Sequence, residues 1–196
     1  MSCLRKIEYT LSPTHSFQII RNCSGCGGKA VFHNTNHFRV NANGNKLDVW
    51  LIYQYTKCKH TNNLTIYTRL NPDTIPHEAL HQFTQNDAAL AYKYGTDPHF
   101  FAQNKAEVDW ANVVYRLEHN PNETTSNEST IHPFKAGDLI ALHNPSHLKV
   151  RAEKVISEVL NISRSKLNVC LKSNDIQIIE DKINHKLNIQ IINDIT

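Results

Sequence analysis

Residues 37–55 read HFRVNANGNKLDVWLIYQY, and the fold of the amino-terminal half turns on the Asn43-Gly44 pair at their centre. Asn and Gly tolerate the positive φ of a tight turn. Flanked by runs rich in Val, Ile, Leu and aromatic residues, they predict a β-hairpin. A second polar break, TNN at 61–63, is followed by LTIYTRL, which reads as another strand. The stretch 31–70 is therefore expected to form a small antiparallel sheet of about three strands.

Beyond Pro76 the period lengthens. Leu80, Phe83, Leu90 and Tyr94 fall roughly on one helical face, with Asn86 as a cap midway and Gly95 as a stop. Asp97-Pro98 predicts a capped helix reaching about Asn104, and ANVVYRLE, from 111, a further strand. Residues 120–130, NPNETTSNEST, are built of turn and cap formers and read as a linker. After it, DLIALH predicts a strand, VRAEKVISEVL and SRSKLNVCLKS two helices, and DIQIIE and KLNIQII two strands. The expected fold class is α+β: residues 1–119 form a sheet with a helical extension, and residues 131–196 a small separate α/β domain.

At 196 residues and 40% hydrophobic content the chain can bury a substantial core. No apolar run is long enough to cross a bilayer and no signal peptide is visible, so a soluble, cytoplasmic protein is expected. The net charge of +3 hides an asymmetry: +7 over residues 1–70, −6 over 71–147, +4 over 148–173 and −2 over the remainder. Basic segments at both sides of an acidic middle suit a polyanionic partner as well as they suit solubility.

HEALH at 77–81 has the His-Glu-x-x-His form of zinc peptidases, in which two histidines four apart share a helix face and the Glu polarises a bound water. Pro76 directly before His77 places that histidine in the first, fraying turn, and no third ligand stands at a telling spacing. The motif is read as chance on a surface helix. No catalytic residue is assigned.

The five cysteines are an odd number, and two form the pair CSGC at 23–26. Thiolates around a tight turn can bind one metal ion, with the glycines after Cys26 letting backbone amides turn toward the sulfurs. A second pair is wanted. The chain supplies only Cys58, with Tyr55 where the partner thiol would stand and His60 two residues beyond. Tyr is a poor ligand at neutral pH, because its phenol would have to ionise. His60 as fourth ligand, a water in that place, or an empty site are the three possibilities. Cys3 and Cys170 are isolated, and each reads as a small apolar or surface residue.

CSGCG, FRVNANGNKLDVWLIY, KC and LTIYTR together resemble a family of small bacterial proteins known as a domain of unknown function. In that family two Cys-x-x-Cys pairs flank the FRVNANG hairpin like a zinc ribbon. The resemblance implies Cys23, Cys26 and Cys58 as metal ligands and zinc as the metal.

A second resemblance lies in residues 150–178, VRAEKVISEVLNISRSKLNVCLKSNDIQI, which is similar to the alpha-L RNA-binding motif of the fourth protein of the small ribosomal subunit. It implies structured RNA, ribosomal RNA included, as the partner. The residues agree: Ser163 can cap the second helix, directing Arg164, Lys166 and free backbone amides to one surface. Arg151 and Lys154 lie three apart at the start of the preceding helix, and Lys172 extends the patch. Asn174 replaces the motif's usual Gly, and its Val-Asn-Gly is missing. The expectation is an RNA-binding protein with a degenerate zinc ribbon. A zinc metalloenzyme and a non-catalytic scaffold are the competing readings.

Overall fold

The computed structural model describes residues 5–120, 134–182 and 186–194. In chain order its elements are β1 (Lys6–Pro13), β2 (Ile19–Cys23), β3 (Gly28–Asn43), β4 (Lys46–Tyr55), β5 (Thr61–Leu70), α1 (His77–Thr84), α2 (Ala88–Gly95), α3 (Pro98–Gln103), β6 (Glu107–Val108), β7 (Tyr115–Asn120), β8 (Leu139–His143), α4 (Ala152–Leu160), α5 (Arg164–Lys172), β9 (Ile176–Lys182) and β10 (Lys186–Ile191). The class is α+β. Two compact units divide the chain, one of Pro13–Val114 and one of Met1–Ser12 with Tyr115–Thr196.

The unit 13–114 is a sheet of order β5-β4-β3-β2-β6 with the three helices between β5 and β6 in sequence. The hairpin is where the sequence puts it: Asn43 pairs with Lys46, and Gly44 takes φ +63°. Inward alternation on β4 buries Leu47, Val49, Leu51 and Tyr53. These meet Phe17, Ile19, Phe32, Phe83 and Phe101 in an aromatic-rich core, where the Tyr53 hydroxyl donates to the Phe17 carbonyl at 3.1 Å. β3 is far longer than expected because a bulge between Asn34 and Phe38, with Asn36 at φ +57°, lets one strand change direction without ending.

The helices are pinned to this sheet by small and polar residues. A Cβ at Gly95 would lie 2.4 Å from Ser16 Oγ and 2.7 Å from Asn34 Nδ2, so only glycine permits the approach of α2. The cap of α2 is Asp87, whose carboxylate accepts from Leu90 N–H at 2.7 Å. Asn86, the residue expected there, sits instead at φ +54° and accepts the Phe38 N–H through Oδ1. Asn104, after α3, holds both backbone groups of Thr65 on β5: Oδ1 accepts from N at 2.6 Å and Nδ2 donates to O at 3.0 Å. Its own carbonyl accepts from Arg21 on β2. One residue thus ties together the two strands that flank the β3-β4 pair.

The other unit is a sheet of order β7-β1-β8-β10-β9, with β1 parallel to β8 and β10 antiparallel to both β8 and β9. Its core joins Tyr9, Leu11, Ile140, Leu142, Leu187 and Ile189 of the strands to Val155, Ile156, Val159 and Leu160 of α4 and Leu167 of α5. The two helices and the strands after 131 stand where the sequence predicts them. The expected boundary does not. Residues 1–119 were expected as one module, yet β1 and β7 belong to the carboxyl-terminal sheet. The reason is a pairing of Lys6–Thr10 with Leu139–His143, between strands so distant in sequence that no local pattern announces it. The linker at 121–130 lies outside the described residues.

Where β8 begins, Asp138 is buried and takes Arg5 Nε at 3.0 Å and the Lys135 N–H at 2.8 Å. Burial alone would raise its carboxyl pKa; the Arg5 guanidinium and the backbone donor outweigh that and hold it below the usual value.

Two outcomes are expected. Asn104→Ala should cost about 2 kcal/mol, since several hydrogen bonds are lost and Thr65 is left unsatisfied, and a shift in urea midpoint would measure it. Asp138, with its lowered folded pKa, contributes stability above the unfolded carboxyl value of about 3.9 that is lost as pH falls through the lower folded value. Removing the guanidinium by Arg5→Met should therefore bring acid unfolding on at a higher pH, as read from thermal melts over a pH series.

Candidate metal centre and basic helical face

In a meander, alternate turns fall at the same end of the sheet. The β2–β3 turn opens at the Cys23–Gly28 pair and the β4–β5 turn at the Gln54–Thr61 pair, and the β3-β4 pairing of Phe32 with Tyr55 sets both at one end. The first turn closes through Gly27 N–H and Cys26 N–H, which donate to the Cys23 carbonyl at 2.8 and 3.2 Å, with Gly27 at φ +74°. In the second, Lys59 N–H donates to Tyr55 O and Tyr55 N–H to His60 O, each at 2.9 Å, and Lys59 takes φ +61°.

The outcome is that the sulfurs of Cys23, Cys26 and Cys58 all lie within 4.8 Å of one another, with Cys23 and Cys58 in contact at 3.4 Å. A tetrahedral ion with metal–sulfur bonds of about 2.3 Å spaces its ligands about 3.8 Å apart, so the three thiols can hold one metal ion. Cys23 is buried at the end of its strand; Cys26 and Cys58 are exposed. The backbone N–H of His60 donates to the Cys58 sulfur and lowers that thiol's pKa. Cys26, hydrogen-bonded to Cys58, is pushed up to about 11.

Tyr55 takes no part. Its ring packs on Phe32, centroids 5.9 Å apart. His60 is close but does not join the 4.8 Å cluster. Its Nε2 lies 2.7 Å from Ser24 Oγ, a contact the sequence did not suggest, although Ser24 stands inside the cysteine pair. Cys170 is buried in the other unit and Cys3 lies outside the described residues.

His77, Glu78 and His81 sit on α1 and all three are exposed, with Phe83 the buried residue of that helix. Pro76 occupies the cap position, and among the described residues no third Cys, His or carboxylate groups with the two histidines.

In the other unit, Ser163 caps α5, its Oγ accepting from Lys166 N–H at 3.1 Å. Arg164, Lys166 and Lys172 are exposed along α5. Arg151 is exposed at the cap of α4 rather than within it. Asn161 and Asn174 end the helices at φ +51° and +61°, the left-handed conformation that Asn accepts. Lys154 has neighbours on two elements. Its ammonium lies 3.8 Å from Glu158 and 5.0 Å from the centre of the Tyr115 ring, while the Tyr115 hydroxyl donates to Glu158 at 2.8 Å. Burial and that bond to the carboxylate raise the phenol's pKa. Spacing on α4 could not announce a partner on β7.

The sequence profile of a family described as a protein of unknown function (DUF1062) matches residues 40–182, and the chain belongs to that family. No curated protein matches the chain, and no solved structure does. Among the described residues no helix is long and apolar enough to cross a membrane.

Changing Cys23, Cys26 or Cys58 singly to Ser should abolish tight uptake of one thiophilic divalent cation per chain. The loss of thiolate-to-cobalt absorption on titration with Co2+ would report it.

Proposed function

We propose that this chain is a cytoplasmic protein that binds structured RNA through the α4–α5 face, and that a zinc ion clamps the two turns of the other unit in the manner of a zinc ribbon. The observation that carries the RNA reading is the start of α5. A helix N-terminus with free amides, capped by Ser163 and carrying exposed Arg164 and Lys166, is suited to a phosphate, and the resemblance to the alpha-L motif points the same way. Arg151 adds a cation at the start of α4, and Lys172 one at the far end of α5. Lys154, held by Glu158 and Tyr115, orders the face more than it contacts the ligand. Such a surface suits recognition by backbone and shape, which is how folded RNA is commonly read.

Zinc is favoured by three cysteine sulfurs close enough to share one ion, with His60, whose Nδ1 borders the same space, as the proposed fourth ligand. Its role is structural. It joins turns that the sheet already brings together. The metalloenzyme reading has one observation in its favour, the count of only three thiolates, since a catalytic zinc keeps an open position. Against it, no carboxylate among the described residues joins the cluster to serve as a base.

Fluorescence anisotropy with a structured RNA and a matched DNA duplex, over a salt series, tests the RNA reading. Wild type should bind RNA with a steep salt dependence. The Arg164→Glu/Lys166→Glu variant should lose at least about tenfold in affinity and show a salt slope shallower by about 2. Equal binding by the variant would remove the α5 surface from the reading, and a wild type that binds neither nucleic acid would leave a scaffold.

A further inference from the structure

We infer that Ser24 is the positioning residue of the metal centre: it holds the His60 ring so that Nδ1, and not Nε2, is the nitrogen presented to the metal. The inference rests on the three-cysteine, one-histidine centre proposed above and adds to it the residue that sets the histidine's orientation.

A metal-bound imidazole donates one nitrogen to the ion and carries a proton on the other, and that second N–H needs an acceptor to fix the tautomer and the ring plane. In this centre the acceptor is built into the cysteine turn itself. Ser24, between Cys23 and Cys26, places Oγ 2.7 Å from His60 Nε2. In the tautomer we infer, Nε2 carries the hydrogen and donates it to that hydroxyl oxygen. Only Nδ1 is left for the metal.

A second, independent distance shows where Nδ1 points. An ideal Cβ on Gly25 would lie 3.9 Å from Cys23 Sγ, 3.9 Å from Cys58 Sγ and 4.0 Å from His60 Nδ1. Two sulfurs and Nδ1 therefore border the same space, beside a residue that has no side chain to fill it. As His60 stands, it is not within 4.8 Å of all three sulfurs, so the ring must close on the ion when one binds. The Ser24 bond is the pivot of that movement, because it keeps Nδ1 on the sulfur side while the ring approaches. Ser24 and His60 belong to different turns, and the bond also fastens one turn to the other.

The test compares Ser24→Ala, Ser24→Thr and His60→Ala with wild type in the full chain. Co2+ affinity is read by competition with a chelator, and the ligand set by the cobalt absorption bands. Long-range proton–nitrogen correlation on the zinc-loaded, nitrogen-labelled protein reports which His60 nitrogen carries hydrogen. Ser24 is exposed, so its variants should fold, and circular dichroism melts in chelator establish that they do. Ser24→Ala is expected to bind about 10–100-fold more weakly, the usual effect of losing a group that orients a metal-bound histidine. Ser24→Thr, which keeps the hydroxyl, should bind as wild type does, and the zinc-loaded wild type should carry hydrogen on Nε2. Hydrogen on Nδ1, or a Ser24→Ala protein that binds as tightly as wild type while His60→Ala is weakened, would overturn the role of Ser24 alone. A His60→Ala protein with undiminished affinity and unchanged cobalt bands would overturn the one-histidine centre and the inference with it.

Discussion

The antiparallel register of β3 with β4 is the constraint on which the unit 13–114 depends. Once Asn43 is opposite Lys46, the pairs are fixed as far as Phe38 opposite Leu51, and the bulge between Asn34 and Phe38 then shifts the register so that Phe32 stands opposite Tyr55. A slip of one residue would turn Val49, Leu51 and Tyr53 from the core to the other face, a cost no other contact in the sheet could offset. The same register sets how far β3 and β4 project at the opposite end, and hence the height of the two turns that carry the sulfurs. The hairpin and the thiol cluster are therefore two ends of one geometric statement.

What could be read from the sequence was local. Asn43-Gly44 announced its turn because the preference for positive φ belongs to those two residues. Cys23 and Cys26 announced a ligand pair because their spacing is that of a turn. Cys58 was joined to them by the want of a further ligand and by the family resemblance, and the sheet brings its turn to the same end. The helices α4 and α5 were legible from their apolar periodicity and from Ser163, a local cap.

What could not be read was set by partners far along the chain. β1 has a clear inward alternation of Tyr9 and Leu11, yet its place beside β8 follows from hydrogen bonds to residues near 140. Asp87 caps α2 because Asn86 is occupied with Phe38 on β3, a choice between adjacent polar residues that propensity cannot make. Helical spacing places Lys154 beside Arg151 in the basic patch, while the ring and carboxylate near it come from β7 and the next turn of α4. In each case a partner distant in sequence, a strand for β1 and a side chain or backbone group for the polar residues, outweighs the local preference.

The interleaved order of the two units has a consequence for how the chain is made. Residues 13–114 form a continuous insertion within a sheet whose first strand lies before them and whose remaining strands lie after. The chain leaves and returns at one place, where Ser12 Oγ donates to Glu118 at 2.7 Å and Thr14 N–H to the Val114 carbonyl at 3.0 Å. On a ribosome the inserted unit has all its strands as soon as residue 114 emerges, and can fold while its host is still incomplete. β1, made before the inserted unit, must wait through that whole interval with its apolar face unsatisfied. At a synthesis rate of roughly 5–20 residues per second, the delay until β8 and β10 appear is on the order of ten seconds. That interval gives a chaperone a defined target: a single amphipathic strand ahead of the inserted unit, released only when its distant neighbours arrive.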